Sequence, residues 1–99
     1  MTITKISNEA SLIIALEGRL DTTTAPMLEA ELKGSLEGVT DLTLDFEKLD
    51  YISSAGLRVI LTAQKAMNKQ NGKMVVKNVC ADIREVFDIT GFVDILTIV

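Results

Sequence analysis

The 99-residue sequence predicts one α/β domain: a mostly parallel β-sheet with an N-terminal hairpin and helices packed on it, in the order β-β-α-β-α-β-α-β. Three observations lead there. Short apolar runs alternate along the chain with segments of helical periodicity. The first two runs are separated only by the turn-forming "SNEA", Ser7 to Ala10, whereas every later pair is joined through a helix. Most strands read as near-continuous apolar runs, which favours a parallel sheet with right-handed crossovers.

In order, Ile3–Ile6 and Leu12–Leu16 form the hairpin. In "GRLDTTTAP" (Gly18–Pro26), Thr23 or Thr24 is placed to cap the first helix, and Pro26 is tolerated in its first turn. Leu28, Leu32 and Leu36 recur at helical spacing; Gly34 weakens this helix and Gly38 ends it. "DLTLDF" (Asp41–Phe46) alternates polar with apolar and forms the third strand. The second helix sets Leu57, Ile60, Leu61, Gln64 and Met67 on one face, widened by Val59, Ala63 and Ala66. Arg58, Thr62, Lys65 and Lys69 make the polar stripe opposite. "QNG" (Gln70–Gly72) stops the helix, and "KMVVKNV" (Lys73–Val79) is the fourth strand. Ile83, Val86 and Phe87 mark a third helix with Gly91 just past its end, and Ile95–Ile98 is the last strand. Met27 and Met67 read as core filler, and Cys80 as packed near the start of the third helix. No linker or repeat interrupts the pattern, so residues 1–99 read as a single domain.

A hydrophobic fraction of 47% supports a packed core. The net charge of −4 leaves no general basic surface for nucleic acid, and three Phe and one Tyr leave no base-stacking surface. The single cysteine cannot form an intramolecular disulfide and suits a reducing compartment. "MTITKISNEA" lacks the apolar core of a secretory signal, and the longest apolar runs, such as "LIIAL", are too short to span a bilayer. The expectation is a cytoplasmic domain with no membrane insertion.

The chain holds no histidine, which removes Ser-His catalysis and the usual zinc ligands. Neither common glycine-rich phosphate loop is present. Asp41, Asp45, Glu47 and Asp50 border one strand without the spacing of a metal loop and read as a solvated strand end. The expectation is a binding module rather than an enzyme, with no catalytic residue, cofactor or metal.

One stretch stands apart: "DYISSAGLRVIL", Asp50 to Leu61, where Ser53 and Ser54 lie at the start of the second helix. A serine there accepts a hydrogen bond from a free helix N–H, worth about 1 kcal/mol. The same free N–H groups and partial positive charge accommodate a phosphate. A phosphoserine adds roughly −1.5 to −2 charge, which an apolar or acidic partner surface would not tolerate. Ala55 keeps this surface low, and Gly56 lets another backbone come close.

Here the residues resemble a family. "GRLDTTTAP", then "YISSAGLRVIL" (Tyr51–Leu61), then "REVFDITGF" (Arg84–Phe92) are similar in order and spacing to the STAS domain of bacterial anti-sigma factor antagonists, over nearly the whole chain. The resemblance implies a protein that, unphosphorylated, binds an anti-sigma factor serine kinase and so frees a sigma factor. It implies that the kinase phosphorylates a serine at the start of the second helix, and that a PP2C-type phosphatase reverses this. Aligned on Gly56 and Leu57, the phosphoacceptor falls on Ser54, with Ser53 the alternative. Ser53 stands where many members carry Asp, and Ala55 where many carry Ser or Thr. Asp21 matches the acidic residue of the family's Gly-x-Leu-Asp loop. Partner contacts are therefore expected at Asp21, Thr22, Thr23, Ser53, Ala55, Gly56 and Arg58. The resemblance also leaves open a STAS subunit in a transport or stress-signalling complex, used for docking or nucleotide sensing.

Overall fold

A computed structural model describes residues 1–99. The chain runs β1 (Thr2–Asn8), β2 (Ser11–Leu20), α1 (Ala25–Ser35), β3 (Asp41–Ile52), α2 (Ser54–Lys69), β4 (Lys73–Lys77), α3 (Ala81–Thr90), a 3-10 turn (Phe92–Asp94) and β5 (Thr97–Ile98). The five strands lie in sequence order; β1 pairs antiparallel with β2, and the remaining pairs are parallel. The fold class and element order read from the sequence are those found.

Strand order explains where the helices go. All three crossovers, β2 to β3, β3 to β4 and β4 to β5, step the same way across the sheet. Right-handed crossovers that all step one way place all three helices on one face. That face is the core: Leu12, Ile14, Leu16 and Leu20 of β2, Leu42, Leu44 and Phe46 of β3, and Met74 and Val76 of β4 are buried. The alternate residues Ile13, Ala15, Thr43, Asp45, Val75 and Lys77 are half-buried on the other face. Leu28 and Leu32 of α1, and Leu57, Ile60, Ala63 and Met67 of α2, close the core from the helix side. Phe87 anchors α3 between Phe46 and Phe92, with ring centroids 6.4 Å and 6.5 Å away. Gly91 ends α3 in the left-handed conformation, φ 80°, where a glycine pays no steric penalty.

The structure corrects several sequence expectations. The third strand does not stop at Phe46; it continues to Ile52. Its alternation is broken by two register shifts, between Ala15 and Glu17 and between Gly18 and Arg19 of β2, at each of which β3 contributes an extra residue. Its buried positions therefore run 42, 44, 46, then 49 and 52, a spacing that period-two reading does not follow. Asp45, Glu47 and Asp50 consequently lie along β3 rather than at its end. Asp45 accepts hydrogen bonds from the Asn78 side chain and the Glu47 amide, which hold its carboxyl below the usual range. The fourth strand ends at Lys77, because Asn78 turns with φ 59°. The last strand shortens to Thr97–Ile98, since residues 92–94 form a 3-10 turn. Met67 is fully buried, but Met27 is 47% exposed on α1. Cys80 is the N-cap residue of α3 and is exposed, its Sγ 4.0 Å from the Leu49 carbonyl oxygen.

Candidate functional site

The parallel strands β2 and β3 end side by side, Leu20 opposite Ile52, and each then turns into a helix. Ligand sites of parallel α/β sheets lie at these carboxyl ends. The Ser53 amide donates to the Leu20 carbonyl at 2.9 Å, so the serine turn is tied directly to the segment that begins at Asp21. Gly56 sets how close they come. A Cβ built there would lie 2.7 Å from Leu20 Cγ and 3.0 Å from both the Leu20 carbonyl oxygen and Ile52 Cγ1. The backbone that approaches Gly56 is thus the chain's own, and Gly56 is buried.

The two serines have different surroundings. Ser53 is the N-cap of α2, half-buried, with its Oγ accepting from the Gly56 amide at 3.3 Å. Ser54 is the first residue of the helix; it is exposed, and its hydroxyl makes no hydrogen bond within the chain. Ala55 is half-buried and packs against the core. Arg58 is exposed one turn further along α2.

The Asp21–Thr24 turn is closed by its own side chains. Asp21 Oδ1 accepts from the Thr23 hydroxyl at 2.7 Å and from the Thr23 and Thr24 amides at 3.0 Å and 3.1 Å. The Thr23 hydroxyl chiefly, and then the two amides, select the charged form and hold the Asp21 carboxyl below its ordinary value of 3.8. Thr24 occupies the N-cap position of α1, yet its hydroxyl does not cap the helix. It accepts from the Asp21 amide at 2.8 Å and donates to the Arg19 carbonyl at 2.7 Å, locking the turn to the end of β2. Thr22 is exposed.

Two further residues complete this end of the sheet, and sequence reasoning did not find them. Arg19 and Tyr51 are cross-strand partners in register. The Arg19 guanidinium lies 4.1 Å from the Tyr51 ring centroid and its Nε 3.8 Å from Asp21 Oδ2. No local pattern pairs residues thirty-two apart; only the register beyond the two shifts brings them together.

Two concavities lie elsewhere: a groove of about 430 Å³ between α1 and α2, floored by Leu32, Leu36, Val59 and Ala63, and one of about 290 Å³ by Ala15, Asp45 and Lys48. Neither is lined by Asp21, Ser53 or Ser54. No helix is long and apolar enough to cross a membrane.

Fold and site together define a class: a small one-sheet α/β domain whose most elaborated surface is a paired turn and helix start. The chain belongs to the STAS domain family, within the anti-sigma factor antagonists. The family model for the STAS domain matches residues 2–99. A Bordetella bronchiseptica protein assigned as the anti-sigma factor antagonist BtrV is 38% identical over 99% of this chain and 85% of its own length. The anti-sigma-B factor antagonist of Bacillus subtilis is 32% identical over 92% of this chain and 84% of its own. The unphosphorylated form of the antagonist SpoIIAA shares the fold with a TM-score of 0.79 at 19% identity, covering 99% of this chain and 87% of that one. An anti-sigma factor antagonist from Mycobacterium paratuberculosis does so with 0.87 at 19% identity, covering 98% and 83%.

Proposed function

We propose that this antagonist works as a phospho-switched binding module. Unphosphorylated, its Asp21–Thr24 turn and the start of α2 dock on an anti-sigma factor serine kinase, which then releases its sigma factor. The kinase inactivates it by modifying Ser54. Ser54 Oγ attacks the γ-phosphorus of ATP, the bond to the bridging oxygen breaks, ADP leaves, and the hydroxyl proton passes to a base on the kinase. A PP2C-type phosphatase hydrolyses the ester, returning the hydroxyl and inorganic phosphate.

The observation that carries this reading is the division between the two serines. Ser53 spends its Oγ on the Gly56 amide, whereas the Ser54 hydroxyl is exposed and unbonded. A transferable phosphoryl group needs an accessible nucleophile. Existence of a phosphorylated form of SpoIIAA, a fold neighbour, is consistent with this chemistry in such a domain.

The test uses radiolabelled ATP and an extract of the source cells, with the labelled position mapped by mass spectrometry. Ser54→Ala abolishes incorporation, while Ser53→Ala keeps it and instead loses about 1 kcal/mol of stability as a lost cap. Full labelling of Ser54→Ala overturns the assignment. Ser54→Asp weakens binding to the kinase identified in the same extract; unchanged binding counts against added charge as the switch.

A further inference from the structure

Helix α2 holds three cations, Arg58, Lys65 and Lys69, and no carboxylate, in a chain of net charge −4. Its first turn lacks the acid that would complement the helix dipole. Arg58 is exposed and its guanidinium is unengaged. The four ion pairs are Lys5–Glu31, Arg19–Asp21, Lys33–Glu29 and Arg84–Asp88, and the cation–π contact belongs to Arg19 and Tyr51. Arg58 stands four residues after Ser54 on the same helix. Residues so spaced are neighbours, with Cβ atoms about 5–6 Å apart, and an anion N-terminal to a cation is the favoured order.

We infer that Arg58 is the intramolecular partner of a phosphate on Ser54, an inference that rests on the proposed modification of that serine. The phosphate would be the sole anion on α2. Beside the free N–H groups of the helix start, Arg58 is the cation placed to meet it. Arg19 is held by the Tyr51 ring and Asp21. Lys65 is eleven residues from Ser54, about 16 Å along the helix axis. Asp21, the like charge, turns one oxygen to the Thr23 and Thr24 amides and the other toward Arg19.

The pairing determines what the switch does. A phosphate placed at a helix start and matched by an arginine one turn later strengthens the helix. The modified protein therefore stays folded, and its docking surface changes twice in one step. It loses the neutral hydroxyl of Ser54 and the free positive charge of Arg58.

Phosphoserine incorporated at position 54 during translation tests the pairing without any kinase. The phosphate is titrated by phosphorus NMR in the parent chain, in Arg58→Gln and in Arg58→Lys. The parent midpoint lies about 0.3 pH unit below that of Arg58→Gln at low salt. Arg58→Lys retains part of the difference, and 1 M salt removes most of it. Unmodified Arg58→Gln melts with the unmodified parent, which separates pairing from folding. Equal midpoints for parent and Arg58→Gln overturn the pairing and leave the functional reading intact. Absence of label on Ser54 in the extract assay overturns the functional reading, and the midpoints then still report whether Arg58 binds a phosphate there.

Discussion

Asp21 shows how a single half-buried carboxylate organises a surface. Its Oδ1 collects one hydroxyl and two amides from the next three residues, and Thr24 reaches back to the Asp21 amide and the Arg19 carbonyl. The turn is thus ordered by the chain's own bonds, which lowers the conformational entropy that the proposed docking would cost. These bonds favour the ionised carboxyl, so its pKa in the folded chain lies below the unfolded value near 3.8. The sign follows from linkage. The stabilisation is fully present above the unfolded pKa and is lost as pH falls through the lower folded pKa. Replacing Thr23 by Val removes the bond that contributes most to the shift. The Asp21 pKa then rises toward 3.8, read by carboxyl-carbon NMR. A pKa unchanged in Thr23→Val would mean that the two amides alone hold the charge.

At the scale of an element, α2 is fixed to the sheet by its first turn. Ser53 caps it through the Gly56 amide, and Gly56 lies against the Leu20 carbonyl and the Leu20 and Ile52 side chains. Alanine at position 56 would gain up to about 1 kcal/mol in helix propensity. Its Cβ would meet a backbone oxygen at 3.0 Å as well as the Leu20 side chain, and overpacking of this kind costs about 1–3 kcal/mol. Gly56→Ala therefore lowers the denaturation midpoint, by up to about 2 kcal/mol in stability, although alanine is the better helix former. A neutral or stabilising Gly56→Ala would show that the two turns are not held at contact distance by this residue. The elements themselves were legible because their signals are local. The hairpin at Ser7–Ala10, the apolar face of α2 and the glycine after α3 each follow from a few neighbouring residues. What was not legible depends on register. Period-two reading loses β3 after Phe46, where extra residues shift its pairing with β2, and with it the Arg19–Tyr51 contact. Likewise the sequence offers Thr24 as a cap, but only the placement of Arg19 and Asp21 decides that its hydroxyl turns backward. The position of the serine turn was legible, whereas the unequal roles of its hydroxyls required the geometry of the cap.

Across the whole molecule, one-directional strand order leaves a sheet with two unequal faces. The helices bury one, and the other is half-exposed through Ile13, Ala15, Thr43 and Val75. The edge strand β1 contributes to the covered side with a charge: Lys5, paired with Ile14, reaches Glu31 of α1 at 2.7 Å and the Ser35 hydroxyl at 3.2 Å. A lysine on an edge strand discourages strand addition by another chain. The apolar run "LIIAL" therefore conceals two kinds of position. Ile14 has no exposed surface, while its neighbour Ile13 faces the uncovered side. Truncating a fully buried isoleucine removes its transfer free energy and leaves a cavity, about 2–5 kcal/mol. Truncating a half-buried one on an open face leaves no enclosed cavity and costs about 1 kcal/mol. Ile14→Ala should therefore unfold at a much lower denaturant concentration than Ile13→Ala, with unchanged slope in both. Equal losses would mean that the second face is covered in solution, and that the one-sided arrangement dictated by three like-handed crossovers is incomplete.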